Sequence, residues 1–257
     1  MDLKYVIIKE FSSGAFGEVY MGKNKFTGEY VAIKREKKQN SAVKNEAKMY
    51  NYINNTTFFP KLKDYISTET HNFLVLELLN YNLNAMRGKV TKYHIANIGN
   101  QMINALEFLH NMGIVHRDIK PANFMLANGK IKLLDFGFAK KIINKNTGKD
   151  NRYIHNPYKK ITAIIGTPNF ISLNVHNLDE PSRRDDIESA IYVLLYLRID
   201  LPWMNLSLEE IHRLKGKILD GNIIDNYYKI LIQICHLMEY DEKPGYNILR
   251  KNISIKS

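Results

Sequence analysis

The apolar pattern of this chain changes period near residue 80, and that change constrains the fold more than any other feature. Before it, apolar residues come in short runs bounded by turn residues. Tyr5-Val6-Ile7-Ile8 is one such run. Gly17 to Met21 and Tyr30 to Arg35 flank a turn rich in Asn, Lys and Gly, and Lys61 to Ser67 and Asn72 to Leu79 form a second pair. Such runs between turn signals read as strands. Ser41 to Ile53 is the exception, with Val43, Ala47, Tyr50 and Ile53 at helical spacing. Beyond residue 80 the helical period takes over. Tyr93 to Asn111 carries Ile95, Ile98, Met102, Ala105, Leu106 and Leu109, and Asp185 to Leu197, Ser207 to Leu219 and Tyr227 to Tyr240 follow. Val115 to Leu134 mixes short strand-like pieces with polar loops. The pattern predicts an α+β chain in which a small β-rich lobe with one helix precedes a larger, mainly helical lobe, with the boundary near Leu79–Asn82. No internal repeat is visible. The Asn/Lys-rich stretch 144–160 is expected to be a mobile loop, because apolar helices follow it.

Composition narrows the class. With 45% hydrophobic and 25% charged residues the chain is globular. Its longest apolar run, Ala190 to Leu197, is eight residues, against the ~20 that a membrane span needs, so no membrane partner is expected. The N-terminus shows no secretory pattern. Cys235 is the only cysteine, which excludes an internal disulfide and fits a reducing compartment. An intracellular location, cytoplasmic or nuclear, is expected. The net charge is +11, which favours acidic partners. Most of it reflects composition: 28 Lys, 28 Asn and 31 Ile against 9 Arg suggest AT-rich codons. That usage is compatible with a large DNA virus, acting in its host cell, or an AT-rich unicellular source. Nucleic-acid binding is expected only as a secondary effect of charge. The distribution is more telling: between 140 and 160, Lys140, Lys141, Lys145, Lys149, Arg152, Lys159 and Lys160 face Asp150 alone.

Four elements carry chemistry. The first is Ser12-Ser13-Gly14-Ala15-Phe16-Gly17-Glu18-Val19, between two strand-like runs, where glycines let backbone amides approach phosphate oxygens. Gly17 to Lys23 also spells G-x-x-x-x-G-K, but it reads as a strand and has Asn24 at the Ser/Thr position, so it is not a phosphate-binding P-loop. The second is Val31-Ala32-Ile33-Lys34. Ala32 and Lys34 share a strand face, a small residue for a flat ring beside a cation for phosphates. Glu46, mid-helix, is placed to hold Lys34 by an ion pair. The third is His116-Arg117-Asp118-Ile119-Lys120-Pro121-Ala122-Asn123. Asp118 can orient an acceptor hydroxyl, Lys120 can steady the moving charge, and Asn123 can offer Mg²⁺ a hard oxygen. The fourth is Asp135-Phe136-Gly137 after the apolar run Ile131 to Leu134, with a carboxylate suited to Mg²⁺.

In this order the four elements resemble those of eukaryotic-type protein kinases. The resemblance covers about residues 5–250. It implies a two-lobed protein kinase fold: an antiparallel sheet with one helix over about 1–79, a hinge at about 77–82 and a helical lobe over about 83–257, in a single kinase domain. Lys120, two residues after Asp118, is similar to serine/threonine rather than tyrosine kinases. Gly166-Thr167-Pro168-Asn169-Phe170-Ile171-Ser172-Leu173-Asn174 stands in place of the usual A-P-E segment. With Pro181 to Ser189, Leu201-Pro202-Trp203 and Tyr240 to Tyr246 it resembles the casein kinase 1 group, and Val175-His176-Asn177 is similar to its vaccinia-related branch.

The resemblance implies γ-phosphate transfer from Mg-ATP to Ser/Thr hydroxyls of protein substrates, and a monomer is expected. Phe11, Ser12, Ser13, Gly14, Ala15, Phe16, Gly17 and Val19 would roof the nucleotide, with Ala32 beneath. Lys34, paired with Glu46, would meet the α/β-phosphates. Glu77 and Leu79 would offer backbone groups to adenine, Leu76 would back the pocket and Met125 would floor it. Asp118, Lys120 and Lys34 are the catalytic candidates. Asn123 and Asp135 are the metal ligands, and Asp186 would anchor the catalytic loop. Two positions depart from the pattern. Ser12 replaces the first loop glycine, which predicts weaker ATP binding. Asn169 replaces an Arg that usually helps bind an anion, which sets the basic segment 140–160 as the remaining candidate for acidic or phosphorylated substrates, with a solvated loop as its alternative. Arg117 is able to pair with a phosphate on Thr147, Tyr153, Thr162 or Thr167. The casein kinase 1 likeness implies constitutive activity instead. The competing class is a pseudokinase-type nucleotide-binding scaffold, against which Lys34, Asp118, Asn123 and Asp135 all stand.

Overall fold

The computed structural model describes residues 4–14, 17–145 and 153–255. The chain forms two compact units. Unit 1 is Met1–Tyr81 with Met125–Gly137, and unit 2 is Asn82–Phe124 with Phe138–Ser257.

Unit 1 is built on a five-stranded antiparallel sheet. Its strands are β1 (Tyr5–Gly14), β2 (Gly17–Asn24), β3 (Tyr30–Lys37), β4 (Leu62–Ser67) and β5 (His71–Glu77), in the order β1-β2-β3-β5-β4. The β2–β3 turn is held by Asn24, whose Oδ1 accepts the amides of Phe26 at 2.9 Å and Thr27 at 3.2 Å. One sheet face buries Tyr20, Val31, Ile33, Phe73 and Val75 in a single apolar cluster with Tyr5. Helix α1 (Ala42–Ile53) buries Val43, Glu46, Ala47, Tyr50 and Ile53 and ends where Asn54 turns left-handed.

Residues 125–137 lie in the stretch expected as the second lobe, yet they group with unit 1. After the two-residue strand β6 (Tyr81–Asn82) and strand β7 (Ile114–Val115), β8 (Phe124–Ala127) and β9 (Lys130–Leu133) form a hairpin. Asn128 and Gly129 turn it with φ of 50° and 75°, the conformation that an Asn-Gly hairpin turn favours. Leu133 N–H donates to Phe58 O at 2.8 Å, and Lys132 Nζ bonds Glu77 Oε2 at 2.7 Å. These bonds explain the grouping.

Unit 2 is mainly helical. Helix α2 (Lys92–Asn111) starts at a Thr91/His94 capping box and buries the apolar stripe read from sequence. After the short α3 (Leu173–His176), α4 (Arg183–Arg198) begins after Ser182, whose N–H donates to Asp185 Oδ2 at 2.7 Å, and buries twelve residues. A helix buried nearly all round belongs at a core, and α4 packs on α2 and α6. Helices α5 (Leu208–Gly216) and α6 (Asn226–His236) end earlier than their apolar patterns. Helix α7 (Tyr246–Ile255) was not expected. It is short, and its signal is only Tyr246, Leu249 and Ile253, all buried; it packs against α2.

The expectation of a loop over 144–160 is corrected at both ends. Besides β10 (Lys140–Lys141), which pairs with β7, strand β11 (Ile143–Lys145) pairs antiparallel with β12 (Tyr153–His155). Buried Ile142 seeds this pairing, its carbonyl accepting Asn156 N–H at 2.6 Å. Thr147, Lys149, Asp150 and Arg152 lie outside the described residues. Among the described residues no helix is long and apolar enough to cross a membrane.

Candidate active site

Each unit carries a separate constellation. In unit 1 the register sets Val19 opposite Lys34, Met21 opposite Ala32, and Leu76 opposite Ala32. Directly paired residues of an antiparallel sheet share a face, so Val19, Ala32, Lys34 and Leu76 stand on the face opposite the apolar cluster. Lys34 Nζ is 2.7 Å from Glu46 Oε2 and 3.2 Å from Asp135 Oδ1. Burial opposes the Lys34 charge, but Glu46 and Asp135 outweigh it and hold the ammonium well above the ordinary lysine range. Asp135 has φ of 64°, a left-handed backbone that costs an Asp ~1 kcal/mol. Phe136 holds it there: its buried ring lies 4.9 Å from Tyr50 and 5.5 Å from Phe59.

The glycine segment is the tip of the β1–β2 hairpin, with Ser12 opposite Val19 and Gly14 opposite Gly17. Gly17 has φ of 103°, and a Cβ there would meet Arg35 O at 2.3 Å, so only glycine fits. Arg35 Nε bonds Glu18 Oε2 at 2.5 Å and its guanidinium covers the Tyr20 ring at 5.1 Å, which ties the hairpin to β3. Phe11 and Ser12 are exposed on β1, Ser13 continues the strand, and Ala15 and Phe16 lie outside the described residues. Leu76 and Leu79 are buried and Met125 is half-buried on β8. Glu77 turns its carboxylate to Lys132 and to Lys61 N–H, and its own N–H is taken by Lys61 O at 2.9 Å.

In unit 2 the loop 116–123 gathers the second set. The buried Asp118 carboxylate accepts Lys120 Nζ at 2.6 Å on Oδ2 and Thr167 Oγ1 at 2.7 Å on Oδ1. Asn123 Nδ2 donates to Asp118 O at 2.8 Å, which leaves the amide oxygen as its ligand atom. Asp186 of α4 fixes the loop from beneath: it accepts His116 N–H at 2.7 Å, Arg117 N–H at 2.9 Å and His110 Nε2 at 3.0 Å. Burial would raise the Asp186 pKa, but these partners, His110 first, hold it below the ordinary carboxylate range. They also support Arg117, whose φ is 68°. Gly166, at φ of 104°, leaves no room for a Cβ, which would stand 2.6 Å from Arg117 O.

Sequence reasoning missed two side chains that shape this site. Lys215 of α5 is fully buried. Its ammonium donates to Pro168 O at 3.0 Å and Ile171 O at 2.6 Å, lies 3.3 Å from His176 Nε2, and sits over the rings of Tyr192 and Trp203. Trp203 Nε1 donates to Asn169 O at 2.9 Å, so the 167–171 turn is gripped along its backbone. Glu180 is the other. Lys215 lies within the Ser207 to Leu219 pattern and Glu180 directly precedes Pro181, but a charged residue at either place carries no signal of burial. Thr167 stood in the sequence as part of the 166–174 segment and as a modification candidate, and the structure puts its hydroxyl on Asp118.

Hard-oxygen donors suit magnesium, which takes one or two protein ligands and fills its shell with phosphates and water. Asp135 in unit 1 and Asn123 in unit 2 each offer an oxygen of that kind. Among the described residues no group of three or more His, Cys, Asp or Glu could hold a metal alone. The protein kinase domain family model matches residues 5–214, and the chain belongs to that family. The fold is the two-lobed kinase architecture, a sheet-based N-terminal region and a helical C-terminal region. The membership makes the chain a phosphotransferase with protein substrates.

Proposed function

We propose that the chain is an active serine/threonine protein kinase of casein kinase 1-like type that transfers the γ-phosphate of ATP with Mg²⁺. The observation that carries this reading is the joint presence of two formed constellations, Lys34–Glu46–Asp135 and Asp118–Lys120–Asn123–Thr167. Bound Mg²⁺ would neutralise charge on the phosphates, held by Asn123 and Asp135. Lys34, fixed by Glu46, would bind the α/β-phosphates, beneath the roof formed by the β1–β2 hairpin. Asp118 would orient the acceptor hydroxyl and take up its proton as the new O–P bond forms and the bond to ADP breaks. Lys120 would stabilise the charge that develops on the transferred group. Lys120 and Thr167 beside Asp118 support the Ser/Thr reading, and the 166–174 and 181–189 segments support the casein kinase 1 likeness.

Two cations of the basic stretch, Lys140 and Lys160, are paired within the chain. Lys140 bonds Glu180 at 2.8 Å and Lys160 bonds Asp179 at 2.5 Å. These internal pairs favour a substrate range that includes neutral sites. The test is transfer of labelled γ-phosphate from Mg-ATP to one acidic and one basic protein, with Asp135→Ala as control. Transfer to Ser or Thr that vanishes in the control supports the proposal. Nucleotide binding without transfer would replace it with the scaffold reading, and strict confinement to the acidic protein would overturn the substrate range.

A further inference from the structure

Glu180 stands outside every motif, yet among the described residues of unit 2 it collects more cations than any other carboxylate. It is only 3% exposed. Its Oε1 lies 3.2 Å from Arg117 Nη1 and 2.8 Å from Lys140 Nζ, and its Oε2 lies 3.6 Å from Lys159 Nζ. Burial pushes the Glu180 pKa up, but the Lys140 hydrogen bond and the charges of Lys140, Arg117 and Lys159 outweigh it, so the carboxylate stays ionised. Its backbone is equally fixed: Glu180 N–H donates to Lys159 O at 3.0 Å, and Ile161 N–H donates to Leu178 O at 2.8 Å.

The three cations come from three different places. Arg117 precedes Asp118 in the catalytic loop, and its Nε also donates to Phe138 O at 2.6 Å. Lys140 belongs to the strand that follows Gly137. Lys159 belongs to the segment that leads to Thr167. One buried anion therefore joins the catalytic loop to both ends of the segment between them. Kinases that need activation obtain this joining from a phosphate on that segment, which pairs with arginine.

We infer that Glu180 is a positioning residue for phosphoryl transfer, a built-in carboxylate that holds Arg117 and the backbone around Lys140 and Lys159 in the place of an activating phosphate. The inference rests on the kinase reading above and specifies its regulation. It makes the unmodified chain competent. It also identifies Arg117 as already occupied, so a phosphate on Thr162 would have to displace Glu180 to reach it.

Glu180→Ala deletes a CH2–COO⁻ fragment, and acetate is that fragment with one added hydrogen. The test uses the full chain, made without co-expressed kinases and treated with phosphatase, with mass spectrometry to show the absence of phosphate. Steady-state transfer is compared for wild type, Glu180→Ala and the isosteric Glu180→Gln, each checked for native thermal unfolding. Loss of a charge-assisted bond to a buried group corresponds to ~10- to 100-fold. We expect kcat to fall by that factor in both variants, with KM for ATP within about twofold. Acetate, but not chloride at equal ionic strength, should recover part of the loss in Glu180→Ala and none in Glu180→Gln. Wild-type kcat in either folded variant would overturn the inference. So would a dephosphorylated wild type that transfers only after a phosphate is added to the 140–167 segment. An unfolded Glu180→Ala shifts the decision to Glu180→Gln, whose full activity would equally overturn it. If wild type transfers no phosphate in any state, the kinase reading itself fails, which the phosphorylated wild-type control separates from failure of the role of Glu180.

Discussion

Replacing Lys215 by Met should change how the stability of this protein depends on pH. Burial draws the Lys215 pKa down to about 7, opposed by the charge of Glu188. In the unfolded chain the same amine titrates near ~10.4. Between those values the unfolded chain binds a proton that the folded one does not, so folding stability rises with pH across this window. Below about 7 both states hold the proton and the contribution is flat. Integrated from pH 7 to pH 9, Lys215 adds ~2 kcal/mol of stability, which for a chain of this size is a rise of about 4–8 °C in Tm relative to a variant lacking the group. Lys215→Met keeps a similar volume and removes the titration. It also leaves Pro168 O and Ile171 O without their donors, which costs ~1–3 kcal/mol each, while relieving the burial of the charge. Wild type and Lys215→Met should therefore be close in Tm near neutral pH and diverge in the wild type's favour towards pH 9. Thermal unfolding of both proteins at half-unit intervals from pH 6.5 to 9 measures this. Parallel Tm curves would refute the reasoning and would mean that the cage of two carbonyls, His176 and two aromatic rings keeps the ammonium charged throughout. The same variant should lower kcat for a peptide substrate more than it changes KM for ATP, because the 167–171 turn that seats Thr167 on Asp118 loosens.

Three further outcomes follow from the contacts. Glu46→Gln removes the charge that holds Lys34, and kcat/KM for ATP should drop by ~10- to 100-fold with little change in Tm; a titration of initial rate against ATP reads this. Asp186→Ala leaves the His116 and Arg117 amides without their acceptor and releases a left-handed Arg117, for a loss of ~3 kcal/mol or more, seen as a lower Tm together with loss of transfer. Ser12→Gly should lower KM for ATP, since glycine allows closer approach of backbone amides to phosphate; an unchanged KM would count against the assigned cost of Ser12.

The elements of the fold were legible wherever packing imposes a period. Alternation along β3 and the stripe along α2 survive in the sequence because every second or every third and fourth residue meets the same environment. Helix α7 was missed because its stripe is short and interleaved with Asn and Lys. The strands at 143–145 and 153–155 were missed because the charge of the whole stretch hides one buried isoleucine. The placement of 125–137 with unit 1 was not legible either. It depends on Lys132 reaching Glu77 and on Phe136 lying between Tyr50 and Phe59, contacts that join residues far apart in the chain.

The candidate site divides in the same way. Its residue types and their order were readable from the sequence alone, since phosphate approach, ion pairing and hydroxyl orientation each demand a particular residue at a particular spacing from a strand or loop. What only the tertiary structure decided is which single polar groups meet across the fold. Glu180 gathers Arg117, Lys140 and Lys159, Lys215 reaches two carbonyls of the 167–171 turn, and Thr167 donates to Asp118. A lone buried charge obeys no period. Its partner is chosen by the geometry of the closed chain, where the cost of leaving it unpaired is high, and that cost leaves no mark on its neighbours in sequence.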